Sequence, residues 1–190
     1  GRPPRSTLFP YTTRVRSGEA LQLQILTNTR PGEACEAEWK EIDLNRKLWV
    51  IPGERMKAGK EHMIPLSPQM VNLLKTLLLI SNSDYVFPGL RPNKPITTAA
   101  GMKLVKELRP GFTQHSMRST FRDWAGETTA YPREVIEMAM AHQLKDKAEA
   151  AYARGNLIDK RRRLMRDWAD YCDTIHNQQT DNVTEIRRAK

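Results

Sequence analysis

Two short runs decide most of what this chain can fold into. Lys47-Leu48-Trp49-Val50-Ile51 and His62-Met63-Ile64-Pro65-Leu66 flank a charged segment, Gly53 to Lys60, that holds Gly53 and Gly59. Apolar runs of that length around a glycine-bearing turn segment are the pattern of a β-hairpin. Elsewhere the apolar residues mostly follow the helical period. The sequence therefore predicts a mainly α domain carrying one small antiparallel β-sheet or hairpin.

The helices announce themselves by their ends. Leu21, Leu23, Ile25 and Leu26 suit the end of a buried helix that stops near Asn28. Pro31 fits the first position of a second helix running to about Trp39, with Glu33 facing the positive end of its dipole. Ser67 reads as the cap of a helix with Pro68 first, and Val71, Leu74 and Leu78 as its apolar face. Tyr85 to Gly89 reads as a short extended piece before a proline-rich loop. Thr97 to Leu108 reads as a helix. Phe112-Thr113 opens another, with Met117, Phe121 and Trp124 on one face. Pro132 starts the next, which ends near His142, and Lys145 to Tyr152 forms a short helix or turn. The last long helix spans about Leu157 to Asp173, with Leu164, Met165, Trp168 and Cys172 inward. Trp39, Trp49, Trp124 and Trp168 read as core.

The ends of the chain read differently from its middle. Gly1 to about Ser17 has paired prolines, no acid and no periodicity, and looks like translated adapter read-through. Residues 1–18 are therefore expected to be a non-native or disordered leader, and an upstream part of the protein to be missing. The other reading of this stretch is a basic arm that touches DNA. Residues 19–176 form the expected domain, and 177–190 a polar tail. The formal charge of +9 favours a polyanionic partner. Setting aside the four arginines of the leader lowers it to +5, so charge alone is a modest argument. No apolar run approaches the roughly 20 residues of a membrane span, and no signal peptide is visible, which points to a cytoplasmic protein. Cys35 and Cys172 stand in no metal-ligand spacing, and neither do His62 and His176.

Against this frame stands an ordered set of chemistry-bearing residues: Arg30, Lys57, His115, Arg118, His142 and Tyr152. Phosphodiester transfer needs a nucleophile, a proton for the leaving 5′-oxygen and stabilisation of the charged phosphate oxygens. A tyrosine hydroxyl can attack phosphorus and hold the strand as a phosphotyrosine. Arginine's fork binds two phosphate oxygens at once. Lysine suits the acid for a leaving alkoxide. Each residue alone has a plainer reading: Arg30 a surface ion pair, Lys57 a solvated lysine with Lys60 as competitor, His115 and Arg118 a surface pair, Tyr152 a half-buried aromatic. Lys160 to Arg163 is either a solvated basic face or a DNA-backbone contact.

The flanking stretches Leu26 to Glu33, Arg55-Met-Lys57 ahead of His62 to Ser67, Tyr85 to Gly89, Phe112 to Arg118, Tyr131 to Glu137, Ala141-His142 and Ala150 to Gly155 remove the ambiguity. In order and spacing they resemble the catalytic domain of tyrosine recombinases, in particular the prophage and satellite-phage integrases. The resemblance implies that Arg30 and Arg118 clamp the scissile phosphate and that Lys57 protonates the 5′-oxygen. It implies that His115 positions or deprotonates the tyrosine, that His142 bonds a phosphate oxygen, and that Tyr152 is the nucleophile. Glu33 matches a family acid that holds its helix or orients Arg30, and Arg154 is a candidate for holding Tyr152. Three positions depart from the pattern: Gln114 where proline is common, and Ser116-Met117 where Gly-Phe is common.

The implied function is site-specific DNA integration through a 3′-phosphotyrosine, without cofactor, metal or ATP. The implied partners are double-stranded DNA attachment sites, three further copies in a homotetramer on DNA, and accessory DNA-bending proteins, with no membrane and with the protein nucleoid-associated when bound. The alternatives are a type IB topoisomerase and a truncated, non-catalytic DNA-binding fragment.

Overall fold

The computed structural model describes the backbone of residues 8–142 and 157–181, and side chains over 14–142 and 157–174. Seven α-helices and a three-stranded sheet make up the described residues. The helices are α1 (Leu8–Thr27), α2 (Pro31–Cys35), α3 (Pro68–Leu79), α4 (Thr98–Leu108), α5 (Gln114–Thr128), α6 (Arg133–Ala139) and α7 (Ile158–Asp181). The strands are β1 (Ile42–Asp43), β2 (Leu48–Ile51) and β3 (His62–Pro65), antiparallel in the order β1-β2-β3. The expected hairpin is β2-β3, with Trp49 opposite Ile64 and Ile51 opposite His62. The third strand, only two residues long, carries too little pattern to be read from sequence.

Helix α1 is the spine. Leu23 and Leu26 enter a first core built from Trp49 and Ile51 of β2, Ile64 of β3, Met70 and Leu74 of α3, and Phe87. Its Ile25 packs against a second core, in which Phe121 of α5 and Val135 of α6 meet Leu164, Met165 and Trp168 of α7. Its Leu21 meets Leu104 and Val105 of α4 in a third, smaller cluster. The Trp168 indole N–H donates to the Ile25 carbonyl at 2.9 Å, fastening α7 to α1. The seam between the first two cores lies at the C-terminal end of α1, and that is where the candidate site lies.

Several boundaries move from where the sequence put them. α1 begins at Leu8, inside the stretch set aside as leader. Ser17 is buried, and Arg16 Nη1 donates to the Pro88 carbonyl at 3.1 Å. Residues with no visible apolar stripe are helical here because they prolong an already nucleated helix, for which each added turn is cheap. α2 stops at Cys35 rather than near Trp39, and Trp39–Glu41 forms a 3-10 turn instead. On α3, Leu77 rather than Leu78 is buried, and Leu78 is 47% exposed. The last turn of α3 overhangs the core, so only the residue nearest the middle of the stripe is covered. Ser67 caps α3 as expected, accepting from the Met70 amide at 3.4 Å. No described helix is long and apolar enough to cross a membrane.

The loop between β2 and β3 folds back on itself. A Cβ on Gly53 would stand 2.8 Å from the Gly59 carbonyl oxygen, closer than such atoms approach, so only glycine fits. Gly59, at φ +65°, then takes a left-handed conformation that favours glycine.

Candidate active site

Asn28 ends α1 in the left-handed region (φ 55°), a position asparagine tolerates better than most residues. The turn this creates aims the Asn28 carbonyl at α5 and starts α2 three residues later, at Pro31. Arg30 precedes the first turn of α2. Glu33 holds it twice: one carboxylate oxygen accepts from the Arg30 amide at 2.7 Å, the other from Arg30 Nη1 at 2.8 Å. Both readings of Glu33, helix support and arginine orientation, are thus met by one side chain. Arg30 keeps a third of its side chain in solvent.

Arg118 is the buried counterpart, 4% exposed on the inner face of α5. Its Nη1 donates to the Asn28 carbonyl and its Nη2 to the Met140 carbonyl at 2.7 Å. The same Nη2 lies 3.5 Å from His142 Nε2. No carboxylate among the described residues bonds Arg118. Burial, with the nearby Arg30 charge adding and Glu33 opposing, brings it down to about 10, so it stays charged at neutral pH.

His142 is placed by the end of α6. Its amide donates to the Glu137 carbonyl at 2.9 Å and the Ala141 amide to the Met138 carbonyl at 3.2 Å. This pair of bonds is a Schellman end, with Ala141 (φ 53°) where glycine is usual. The Glu137 carboxylate takes His142 Nδ1 at 2.6 Å. That contact leaves Nε2 directed to the Arg118 side. Arg122 braces Glu137 from α5 at 3.3 Å.

His115 and Lys57 are built differently. His115 is exposed on the first turn of α5, three residues before Arg118. The departures around it have a structural account. Thr113 and Ser116 close a capping box, Thr113 Oγ1 accepting from the Ser116 amide at 3.1 Å. Gln114 is buried and exchanges hydrogen bonds with Gln24 of α1, its Nε2 donating at 3.1 Å. Lys57 is exposed on the β2-β3 loop, in the turn closed by the Gly59 amide and the Met56 carbonyl at 2.9 Å. Tyr152 and Arg154 lie outside the described residues, as does the expected short helix from Lys145.

Other residues at or near this corner stand where the sequence did not place them. His62 is buried on β3, and its imidazole is pushed down to about 3 by burial and then by Arg161, with Arg118 and Arg30 adding and a hydrogen bond to the Ala139 backbone opposing. The strand alternation that places His62 on the side of Ile64 was the available signal. Arg161 is buried and donates to the Met63 carbonyl, while its neighbour Arg162 reaches the carbonyls of Lys47 and Arg46 at 3.4 Å. Half of the basic run of α7 thus clamps the helix to the sheet, leaving Lys160 and Arg163 exposed. Arg55 and the buried Glu41 form an ion pair at 2.5 Å that no sequence pattern announced.

Arg30, Arg118 and His142 are therefore brought together at the seam, with His115 on the same helix as Arg118 and Lys57 on an adjoining loop. The arrangement supplies fixed positive charge and hydrogen-bond donors to an anion. Comparison with known proteins bears on the family. Residues 7–157 match the phage integrase family. The chain is 36% identical over 151 residues to the prophage integrase IntA of Escherichia coli K12, spanning 77% of this chain and 36% of that protein. It is 30% identical over 190 residues to the integrase of Enterobacteria phage P4, spanning 90% of this chain and 43% of that one. The fold matches the crystal structure of XerA recombinase with a TM-score of 0.54 at 18% identity, over 74% of this chain and 61% of that one. The chain thus spans less than half the length of these two integrases, and over that span it belongs to the phage integrase family, as a tyrosine recombinase of the prophage integrase kind.

Proposed function

We propose that the chain is the catalytic domain of an integrase that cuts and rejoins DNA at attachment sites through a 3′-phosphotyrosine. The observation that carries this reading is Arg118: a buried guanidinium held by two carbonyls, beside Arg30 and His142, with no carboxylate of its own among the described residues. A buried cation is costly unless it is paired, and a phosphate oxygen is the partner this corner fits.

In the proposed reaction Tyr152 Oη attacks the phosphorus and the bond to the 5′-oxygen breaks. The leaving oxygen takes a proton from Lys57, and His115 positions the tyrosine or takes its proton. Arg30, Arg118 and His142 Nε2 hold the non-bridging oxygens as their charge grows. The 5′-hydroxyl of a partner strand then reverses the step. One phosphodiester replaces another, so neither ATP nor a metal is called for, and the side chains supply both charge and proton.

Two tyrosine side chains among the described residues are engaged otherwise, which favours Tyr152. Tyr131 donates to Asp167 at 2.6 Å and is pushed up to about 12 by burial and that hydrogen bond. Tyr171 stacks on Trp168 at 5.7 Å. Attachment-site binding, assembly as a homotetramer on DNA and help from DNA-bending proteins belong to the same reading. The relatives are integrases and recombinases, and nothing in the site favours the topoisomerase or the inert-fragment alternative.

The test is a nicked duplex that traps the covalent strand. The full chain is incubated with a random-sequence pool and adducts are resolved on a denaturing gel. Adducts with wild type and none with Tyr152→Phe support the assignment; adducts of equal yield with Tyr152→Phe refute it.

A further inference from the structure

Arg55 lies two residues before Lys57 and is 14% exposed in its side chain. Its Nη1 spans both oxygens of Glu41, at 2.6 and 2.5 Å, and its Nη2 donates to the Glu33 carbonyl at 2.8 Å. Glu41 is itself fixed, accepting from the Trp49 indole at 3.0 Å inside the first core. Glu33 is the residue whose carboxylate orients Arg30. One guanidinium therefore joins three things: the buried sheet, the short helix that carries the phosphate-clamp arginine, and the loop that carries the acid. Between Arg55 and Lys57, Met56 is buried in the first core. Lys57 is thus anchored on its N-terminal side by two consecutive inward side chains, although it is itself in solvent.

The loop needs such an anchor. Its backbone is held by single turns, with the Met56 amide on the Gly53 carbonyl at 3.0 Å and the Gly59 amide on the Met56 carbonyl at 2.9 Å. It has no ladder bonds between Ile51 and His62. An exposed turn of that kind samples many conformations, whereas proton transfer needs the donor within hydrogen-bond reach of the leaving oxygen. Arg55 suits the task because its planar fork can hold a carboxylate and a carbonyl in different directions at once, which a lysine cannot. Its Nε is buried with no partner among the described residues, so the side chain is not placed for maximal hydrogen bonding.

We propose that Arg55 is a positioning residue, tying the Lys57 loop to helix α2 so that the acid and the Arg30 clamp keep a fixed separation. This rests on the reading of Lys57 as the acid. Arg30 keeps its own hold on Glu33, so losing Arg55 displaces the proton donor and spares the phosphate clamp.

The experiment compares two leaving groups. A cleavable sequence selected by covalent capture from the random nicked pool is synthesised with either oxygen or sulfur bridging the scissile phosphorus and the 5′-carbon. The thiolate leaves without a proton. Lys57→Ala, Arg55→Ala, Arg55→Lys and Arg30→Ala are assayed by single-turnover adduct formation. Arg55→Ala is expected to lose about 10²-fold on the oxygen substrate, the cost typical of a misplaced catalytic group. On the sulfur substrate it should recover to within a few-fold of wild type, as Lys57→Ala does, while Arg30→Ala stays slow on both. Arg55→Lys should fall between Arg55→Ala and wild type. If Lys57→Ala recovers with sulfur and Arg55→Ala does not, Arg55 is a packing residue and the proposal fails. If Lys57→Ala does not recover, the acid assignment itself is wrong. Hydrogen exchange provides a readout independent of cleavage. The Met56 and Gly59 amides should exchange about tenfold faster in Arg55→Lys than in wild type, and unchanged rates would overturn the tether outright.

Discussion

The corner around Arg118 and the loop around Lys57, joined in the proposed site, are built on opposite plans. Arg118 is sunk in the protein, and its two carbonyl partners come from the ends of α1 and α6, so three elements fix one guanidinium. Lys57 stands in solvent on a loop fastened from beneath. The contrast suits the role proposed for each. A charge that stabilises a transition state gains most when water is excluded and nothing reorganises. A proton donor must keep its proton at neutral pH, and an ammonium taken out of water loses it readily.

The two plans predict opposite couplings between activity and stability. Arg118→Ala leaves the Asn28 and Met140 carbonyls buried without a donor, at roughly 1–3 kcal/mol each. It should cost about 2–4 kcal/mol of unfolding free energy and drop adduct formation below detection. Lys57→Ala should cost about 10²–10⁴-fold in cleavage and stay within about 0.5 kcal/mol of wild-type stability. Urea titrations beside cleavage rates check both. A Lys57→Ala protein as destabilised as Arg118→Ala would erase the distinction.

Acid should separate the regions next. His62 lies on the buried side, facing Arg161 of α7, Arg118 of α5 and Arg30 before α2, and burial pushes its imidazole from the ordinary 6.5 down to about 3. A group whose pKa is lowered on folding binds fewer protons in the native state, so the native state loses ground as the unfolded chain takes up protons. Stability from this source is full above the unfolded value and declines as pH falls from about 6.5 towards 3. The slope within that window is about 1.4 kcal/mol per pH unit for one such group. His62→Gln, which cannot charge, should show a flatter decline between pH 6 and pH 4.5 than wild type. Parallel curves for the two proteins would remove His62 as the cause.

What the sequence revealed follows the same division. The starts of α2, α3 and α5 and the β2-β3 pairing were legible because they rest on local spacing, while the proposed set of six residues was read from order along the chain. The long-range ties were not. Nothing near Arg55 announces Glu41, fourteen positions away, and nothing near Gln114 announces Gln24, ninety away. Gln114 looked like a flaw in the pattern, yet its side chain bolts the start of α5 to α1. Gly101 makes room for it, since a Cβ there would sit 2.6 Å from Gln114 Nε2. The basic run of α7 misled for a related reason. Composition cannot say that Arg161 turns inward while Lys160 and Arg163 turn out.

The smallest expected effect sits at the hinge of the buried corner. Ala141 takes a left-handed conformation that costs an L-residue about 1–2 kcal/mol. Glycine would relieve that strain, at the cost of added freedom in the unfolded chain, about 0.4–1 kcal/mol, and of a methyl packed at the edge of the first core. The balance favours Ala141→Gly by about 0.5 kcal/mol, or roughly 1–2 °C in Tm for a domain of this size. The bond of the His142 amide to Glu137 should persist, since the Schellman end is native to glycine. A lower Tm would mean that the Ala141 methyl contributes more to packing than its backbone loses to strain. Unchanged stability with slower cleavage would show instead that the strained residue holds His142 against Arg118.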